Sequence, residues 1–364
     1  MQYRELGRTG LKVSAIGLGC VQIGSSNRDY AARLVRRALE LGVTFFDVAR
    51  GYWEAEIHLG VGLEGQRHQA IISTKTAAKT REDAWREINE SLERLRTDYV
   101  DNCHLHYLEP GGDVARRLGP GGALEALIRA KEQGLIRHIG CTAHRSDLLI
   151  EAIKGFDFEV ILVSMNIVER EPLLELIPLC QQKGVGVTIM KPVATGLLPA
   201  PLALKWLLGQ PIASAVPGCT TIEELEENVR VAEEDDLTLT REEDLEVAGL
   251  KEKLEHVRCR ICDRCLPCPA GIEINEILGS DVIYDHYRTM GPRAFHAFPW
   301  SRSRVETNLA ERQRNMAAIR SCTRCGECEA RCPYGLPVAD MLQDTLPAME
   351  DIATIYRQLL KTPG

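Results

Sequence analysis

Eight short apolar runs alternate with amphipathic stretches over the first two thirds of this 364-residue chain, and that rhythm leaves few folds open to it. The runs cover residues 14–20, 43–48, 70–75, 101–106, 136–142, 160–165, 186–190 and 214–217. Their interiors are rich in Val, Ile and Leu, as strands covered on both faces are. Helix-like stretches follow them, for example residues 82–95 and 124–132. Gly42, Gly134, Gly155 and Gly184 fall where a helix should end and the next strand begin, the place of a C-terminal cap. Eight βα units of this kind predict an α/β fold, a (β/α)8 TIM barrel. An open doubly wound sheet is the alternative, but no G-x-G-x-x-G follows the first run, and eight units suit closure better.

The last third carries a different signal. Eight of the thirteen cysteines lie in two tight runs, Cys259, Cys262, Cys265 and Cys268 before Pro269, and Cys322, Cys325, Cys328 and Cys332 before Pro333. The second run reads C-x2-C-x2-C-x3-C-P, the ferredoxin spacing for a [4Fe–4S] cluster, in which the fourth cysteine often reaches a second cluster. The first run is one residue shorter, which makes its fourth ligand the less certain. Structural zinc is the competing reading, but zinc takes only four ligands, usually as two separated C-x2-C pairs. Two [4Fe–4S] clusters are therefore expected, with all eight cysteines as metal ligands. The chain then divides into a barrel over residues 1–245 and a small, mostly helical ferredoxin-like iron–sulfur domain over residues 246–364. An acidic connector at 237–257 carries a predicted helix, 241–256. The spacer between the cysteine runs holds Tyr284, Tyr287, Phe295, Phe298 and Trp300, enough for a small helical cap. Its arginines Arg288, Arg293, Arg302, Arg304, Arg312, Arg314 and Arg320 read as a solvated face.

Cys20, Cys103, Cys141, Cys180 and Cys219 are scattered and read as small packing residues. Met1 is followed by polar sequence, so neither an export signal nor a membrane span is expected. Unpaired thiols beside cluster motifs suit a reducing cytoplasm. The formal net charge of −8 argues against a nucleic-acid partner.

Catalytic groups of such barrels gather at the C-terminal strand ends. Reading those ends gives Asp47, Tyr52 in the loop after it, Lys75 and His106. A phenol is a weak acid near neutral pH, and a neighbouring ammonium would stabilise its phenolate. Lys75 would supply that charge, Asp47 would hold the lysine, and His106 would orient a carbonyl. The segments YRELGRTGLKVSAIGLG, FFDVARGYWEAE, ISTK, LRTDYVDNCHLH, GLIRHIG and VPGCTTIEELEENV resemble the aldo-keto reductase family, in order and at family spacing. The subgroup with a C-terminal ferredoxin-like extension also resembles this chain, through MKP at 190–192 and CTRCGECEARCP. The resemblance places the family's catalytic tetrad on Asp47, Tyr52, Lys75 and His106.

The resemblance also implies a nicotinamide cofactor, with departures. The carboxamide-holding Ser-Asn pair and Gln are matched by Thr142, Ala143 and Leu162, and the stacking tyrosine by Met190. Lys191, Pro192, Val193 and Thr220 fall in the matching cofactor loops. The Lys and Arg that clamp a 2′-phosphate are matched by Gly218 and Glu224, while Glu227 and Asn228 match the adenine-contacting pair. A carboxylate at 224 would repel a phosphate and accept from a free ribose hydroxyl, which favours NADH over NADPH. The plainer reading makes Glu224 one exposed residue of an acidic helix. His104 reads as a satisfied core histidine, and Trp53 either narrows the substrate pocket or packs against the cluster domain.

Three functions remain open on the sequence. One is an NAD(P)H-dependent reductase of a small aldehyde or ketone, with Tyr52 as proton donor. Another is an enzyme fed single electrons through the clusters by a redox protein partner, with flavin not excluded as the splitter between hydride and single-electron chemistry. The third is a barrel whose clusters only staple a docking module.

Overall fold

The computed structural model describes residues 1–279 and 305–361, so the spacer aromatics Tyr284, Tyr287, Phe295, Phe298 and Trp300, with Arg288, Arg293, Arg302 and Arg304, lie outside the described residues. The chain divides into two compact units, Met1–Lys251 and Glu252–Gly364.

The first unit opens with an antiparallel hairpin, β1 (Tyr3–Glu5) and β2 (Lys12–Ser14). Eight parallel strands follow: β3 (Leu18–Gly19), β4 (Phe45–Asp47), β5 (Ile71–Thr76), β6 (Val100–Leu105), β7 (Ile136–Ala143), β8 (Val160–Ser164), β9 (Gly186–Met190) and β10 (Ser214–Ala215). They pair in strict sequence order. Parallel bridges from Ile16 to Ala215 and from Gly19 to Gly218 join the first strand to the last, so the sheet closes on itself. The result is the (β/α)8 barrel that the eight apolar runs predict.

Four runs are shorter as strands than expected, 14–20, 43–48, 160–165 and 214–217. Residues 14–20 split into the end of the hairpin and a two-residue strand, because the chain turns there from the barrel floor into the barrel wall. Residues 101–106 shift by one, which leaves His106 just past the end of β6.

The hairpin is the floor. Leu6 and Val13 pack with Phe45, Val160, Leu162, Ala213 and Val216 in one buried cluster inside the barrel. Gly7 makes this approach possible, since it takes φ +56° and a Cβ there would lie 2.3 Å from the Gly186 nitrogen. Helices α1 (Arg28–Glu40), α2 (Ala55–Gly62), α3 (Arg81–Leu95), α4 (Asp113–Leu118), α5 (Ala123–Glu132), α6 (Ser146–Gly155), α7 (Leu176–Lys183), α8 (Ala200–Leu208) and α9 (Ile222–Val231) belong to the same unit, and α10 (Arg241–Leu254) follows them.

Their starts are written in the sequence. Asn27 Oδ1 accepts from the Asp29 and Tyr30 amides at the start of α1, and Thr80 caps α3 in the same way. Three of the four glycines expected at helix ends, Gly42, Gly134 and Gly184, have positive φ. Gly155 instead ends α6 as a helical residue.

The second unit is helical. The helix Val338–Lys361 packs its Leu342, Met349, Ile352, Ala353 and Tyr356 against Leu309, Met316 and Ile319 of the helix Val305–Arg320, and Ile272, Ile274 and Ile277 join the same core. Arg314 and Arg320 are exposed as expected. Arg312 is not. It is buried, its guanidinium 5.2 Å from the Tyr356 ring centroid, because it lies on the helix face that packs on that ring. Among the described residues, no helix is long and apolar enough to cross a membrane.

Candidate active site and iron–sulfur centre

The barrel brings four polar groups from three successive strand ends together. Asp47 ends β4, Lys75 lies one residue before the end of β5, His106 follows β6, and Tyr52 sits in the loop after β4. Lys75 Nζ donates to Asp47 Oδ2 at 2.8 Å and to the Val48 carbonyl at 2.8 Å. Both side chains are buried, so the charge pair is removed from water. The ammonium lies 4.7 Å from the centroid of the Tyr52 ring, and the Tyr52 and His106 rings meet edge to face at 5.8 Å.

Burial works against the Lys75 charge, but Asp47 and Tyr52 together outweigh it and hold the ammonium above its ordinary pKa. The Tyr52 phenol is pushed up, first by burial, while Lys75 pulls it the other way. The expectation that Lys75 sets the phenol's acidity is thus half of the balance: at rest, desolvation of the phenolate is the larger effect.

His106 is pushed down to about 3 by burial, with Lys75 and Arg117 adding repulsion of its cation, so the ring is neutral across the physiological range. Its place is braced from behind, where Arg117 donates to the His106 carbonyl at 2.8 Å and pairs with Asp113 at 3.0 Å.

The depressed histidine makes a prediction. The unfolded chain binds the His106 proton near pH 6.5 and the folded chain only near 3, so this residue's share of stability is complete above 6.5 and is lost as pH falls through that window. By pH 4.5 the loss reaches about 2–3 kcal/mol. Urea unfolding of the wild type and His106→Asn at both pH values checks this: the wild type should lose more stability on acidification, and equal losses would exclude it.

Sequence reading missed the groups that hold the Tyr52 loop. Glu56, fully buried, accepts from Thr74 Oγ1 at 2.8 Å and from Arg94 Nε at 3.2 Å. Arg94 also donates to the carbonyl of Trp53, a residue at φ 45° that is 46% exposed. One network thus reaches the residue after Tyr52 and the residue before Lys75. Gly24 passes under the loop so closely that a Cβ would lie 2.3 Å from the Tyr52 carbonyl oxygen. Glu56, four residues after Tyr52, looks in sequence like any helical glutamate.

The other side chains around the mouth keep plainer roles. His104 is buried with Asn102 Nδ2 2.7 Å from its Nε2, while its buried Nδ1 makes no hydrogen bond of normal geometry, so the satisfied core histidine expected there is satisfied on one side of the ring. Cys20, Cys141 and Cys219 are buried, and burial raises all three thiols, in keeping with packing.

The positions matched to the nicotinamide end form a mostly apolar wall. Ala143 and Leu162 are buried, and Met190 is half-buried with its backbone paired to Ser164. The Thr142 hydroxyl oxygen accepts from the Tyr107 amide at 2.7 Å, which leaves its own proton to donate. Ser164, two residues beyond Leu162 on the same face of β8, has its Oγ buried without a hydrogen-bond partner. An orphaned hydroxyl at a barrel mouth fits a ligand's polar group. Lys191 takes φ 55°, and its carbonyl accepts from the buried Asn166 at 3.2 Å. Pro192 is buried and Val193 half-buried in the same loop.

At the far end, Gly218 and Thr220 are exposed, and a Cβ at 218 would lie 2.1 Å from Gln22 Oε1, a buried oxygen without a partner. Glu224 both caps and is capped. Its carboxylate accepts from the Thr220 amide at 2.6 Å and the Thr221 amide at 3.3 Å, while its own amide donates to Thr221 Oγ1. Glu227 is exposed, and the buried Asn228 donates to Cys219 Sγ at 3.3 Å.

In the second unit the two cysteine runs exchange their last members. Cys259, Cys262 and Cys265 line one cavity together with Cys332. Cys322, Cys325 and Cys328 line another together with Cys268. The shorter first run therefore also has a place for its fourth thiol. The Ile261 amide donates to Cys259 Sγ and the Arg324 amide to Cys322 Sγ, each at 3.4 Å. Ile261 and Arg324 both take positive φ, which turns these amides back on the sulfurs. Among the described residues, no group of three or more His, Cys, Asp or Glu is drawn together to hold a single metal ion. Four thiols around each of two cavities, with amide–sulfur bonds at equivalent positions, fit cubane clusters better than mononuclear zinc.

Such a barrel, with an acid, a cation and a neutral histidine at its mouth and a cluster-binding unit after it, defines an oxidoreductase. Residues 15–200 match the Aldo/keto reductase family and residues 258–337 match the 4Fe-4S dicluster domain. The chain is 31% identical over 330 residues to the L-galactose dehydrogenase of Arabidopsis thaliana, covering 76% of this chain and 99% of that protein. It is 27% identical over 287 residues to the uncharacterized oxidoreductase YqkF of Bacillus subtilis, covering 64% and 91%. The solved holo form of an aldo-keto reductase from Bacillus halodurans superposes with a TM-score of 0.61 at 27% identity, over 69% of this chain and 96% of that one. The chain belongs to the aldo/keto reductase family and carries a 4Fe-4S domain at its C-terminus.

Proposed function

We infer that the barrel reduces a small aldehyde or ketone with a reduced nicotinamide, and that Tyr52 delivers the proton. The observation that carries this reading is the buried Lys75–Asp47 pair set against the Tyr52 ring, with a neutral His106 on its other side. The chemistry that a reduced nicotinamide supplies when bound is a pair of electrons, as hydride, to the carbonyl carbon. The chain's own residues do the rest. His106 donates a hydrogen bond that orients the carbonyl oxygen. Tyr52, protonated through neutral pH, gives that oxygen its proton as negative charge develops there. Lys75 meets the phenolate left behind, and Asp47 keeps the ammonium in place. Thr142 and the orphaned Ser164 hydroxyl would hold the carboxamide, and Met190 would cover the ring face. In the second unit, the two thiol sets would hold two [4Fe–4S] clusters.

NADH is the favoured donor in this reading. The two amides at the start of α9 would serve a 2′-phosphate, but the Glu224 carboxylate already accepts from both. A phosphate would have to displace a charge of its own sign. Titration of each dinucleotide into cluster-replete protein without oxygen, followed by nicotinamide fluorescence, should show NADH binding about tenfold or more tighter. Glu224→Gln should narrow that ratio. Equal or tighter binding of NADPH would end the preference. Failure of both to bind would leave the tetrad without a hydride donor and favour cluster-fed electron transfer.

A further inference from the structure

The two ring-bearing residues of the site, Tyr52 and His106, are each followed by an aromatic residue with left-handed backbone. Trp53 takes φ 45° and Tyr107 takes φ 53°. Such a φ crowds the Cβ of any residue but glycine, and a bulky side chain keeps it only where the surroundings fix the backbone. For Tyr107 the fixing includes the side chain: its amide donates to Thr142 Oγ1 at 2.7 Å, and its ring meets the His144 ring edge to face at 4.9 Å. Trp53 is held by its backbone, since Arg94, itself paired with Glu56, donates to its carbonyl. Its side chain stays 46% exposed. The other two described tryptophans are covered, Trp85 by Arg129 at 3.9 Å and Trp206 by Arg170 at 4.8 Å. Among the described residues, no cation and no second ring covers Trp53. A strained backbone thus keeps an indole in water beside the proton donor, which folding alone does not call for.

The rest of that face has the same character. Among the described residues, the first unit exposes six large apolar side chains, and four of them, Val21, Trp53, Leu174 and Leu197, lie on loops that follow strands. Those loops form the barrel face that holds Tyr52 and His106. Cations on the same loops are engaged: Arg50 pairs with Glu90 and Lys79 with Glu109, each at 2.6 Å, and Arg145 pairs with Asp147. Glu54, next to Trp53, is exposed. A substrate carrying a carboxylate or a phosphate would meet Glu54 and find these cations taken, whereas a flat apolar group would find a bare indole. We propose that Trp53 is a specificity-determining residue, an indole platform for the ring of an uncharged aryl aldehyde or ketone whose carbonyl is presented to Tyr52 and His106. This assignment rests on the reading that the barrel reduces a carbonyl, and it names the class of carbonyl. Paired rings gain attraction beyond the area they bury. The Arg94–Glu56 clamp sets the backbone of the platform before substrate arrives, so less ordering remains to oppose binding.

Benzaldehyde and propanal separate the ring from the carbonyl. The full, cluster-replete chain would be assayed with both, and the ratio of their kcat/KM compared in wild type, Trp53→Phe and Trp53→Gly. Trp53→Gly should lower the ratio of benzaldehyde to propanal about tenfold, chiefly through KM for benzaldehyde, while Trp53→Phe keeps it within about threefold of wild type. The same Trp53→Gly chain should unfold at a higher urea concentration, because glycine takes this φ without strain. A tryptophan that served packing would give the opposite shift. Binding is read separately with benzamide, which a nicotinamide hydride does not reduce. Benzamide should shield Trp53 from acrylamide quenching of tryptophan fluorescence, propionamide should not, and the shielding should vanish in Trp53→Gly. An unchanged ratio in Trp53→Gly would overturn the platform and leave the hydride reading standing, since both aldehydes would still be reduced. If wild type reduces neither aldehyde, the hydride reading falls and the benzamide result decides: shielding keeps the aryl contact at Trp53, and its absence overturns it.

Discussion

Replacing Tyr52 by Phe is expected to lower kcat for carbonyl reduction by about 10²–10⁴-fold while leaving dinucleotide binding unchanged. The substitution deletes one oxygen and keeps the ring that lies 4.7 Å from the Lys75 ammonium and edge-on to His106, so packing at the site survives. What disappears is the proton that the carbonyl oxygen takes as the hydride arrives. Since burial holds the phenol above its ordinary pKa, reduction by the wild type should be flat with pH through neutrality. The reverse reaction, which needs the phenolate, should rise with pH. Activity in Tyr52→Phe within a few-fold of wild type would show that the proton comes from elsewhere.

Lys75→Met should affect both activity and folding. The lysine is buried and donates to Asp47 at 2.8 Å, so its removal leaves a carboxylate in a dry site without its cation. Breaking a buried pair from one side costs about 3–5 kcal/mol, far more than the pair contributes relative to an apolar replacement of both members. Asp47 escapes the penalty only by taking up a proton, so the deficit should shrink as pH falls. The double variant Asp47→Asn with Lys75→Met should regain most of the stability and none of the activity. Urea midpoints of the three proteins check the order, and a Lys75→Met midpoint equal to wild type would mean that water reaches the pair.

The residues themselves explain why part of this is legible in the chain alone. The barrel could be read because strands covered on both faces must be apolar throughout, and eight such runs of Val, Ile and Leu can be counted. The tetrad could be read because its members sit at the ends of those runs, where a barrel gathers them. The eight thiols could be read as candidate cluster ligands because a cubane needs thiols at fixed short spacing. Ser164, Gln22, Arg117 and Glu56 gave no such signal. Each is an ordinary polar residue in the chain: Glu56 is placed by Thr74 and Arg94, Arg117 by the His106 carbonyl and Asp113, and Ser164 and Gln22 stand out only because the fold buries their oxygens without a partner. Arg312 shows the same limit from the other direction: within a run of arginines it reads as solvated, yet its helix turns it onto Tyr356.

By itself, then, the sequence determined the repeating unit, the chemistry available at the strand ends and the presence of an iron–sulfur module, because periodicity and ligand spacing are local properties of a chain. Tertiary structure alone decided the rest. It closed the sheet by pairing Ile16 with Ala215 and exchanged Cys268 and Cys332 between the two thiol sets. It put the Glu224 carboxylate on the amides that begin α9 and buried Lys75 deeply enough for Asp47 to be its counter-charge. Those outcomes depend on distances between residues remote in sequence and on how much water is left between them, and only the folded chain fixes either.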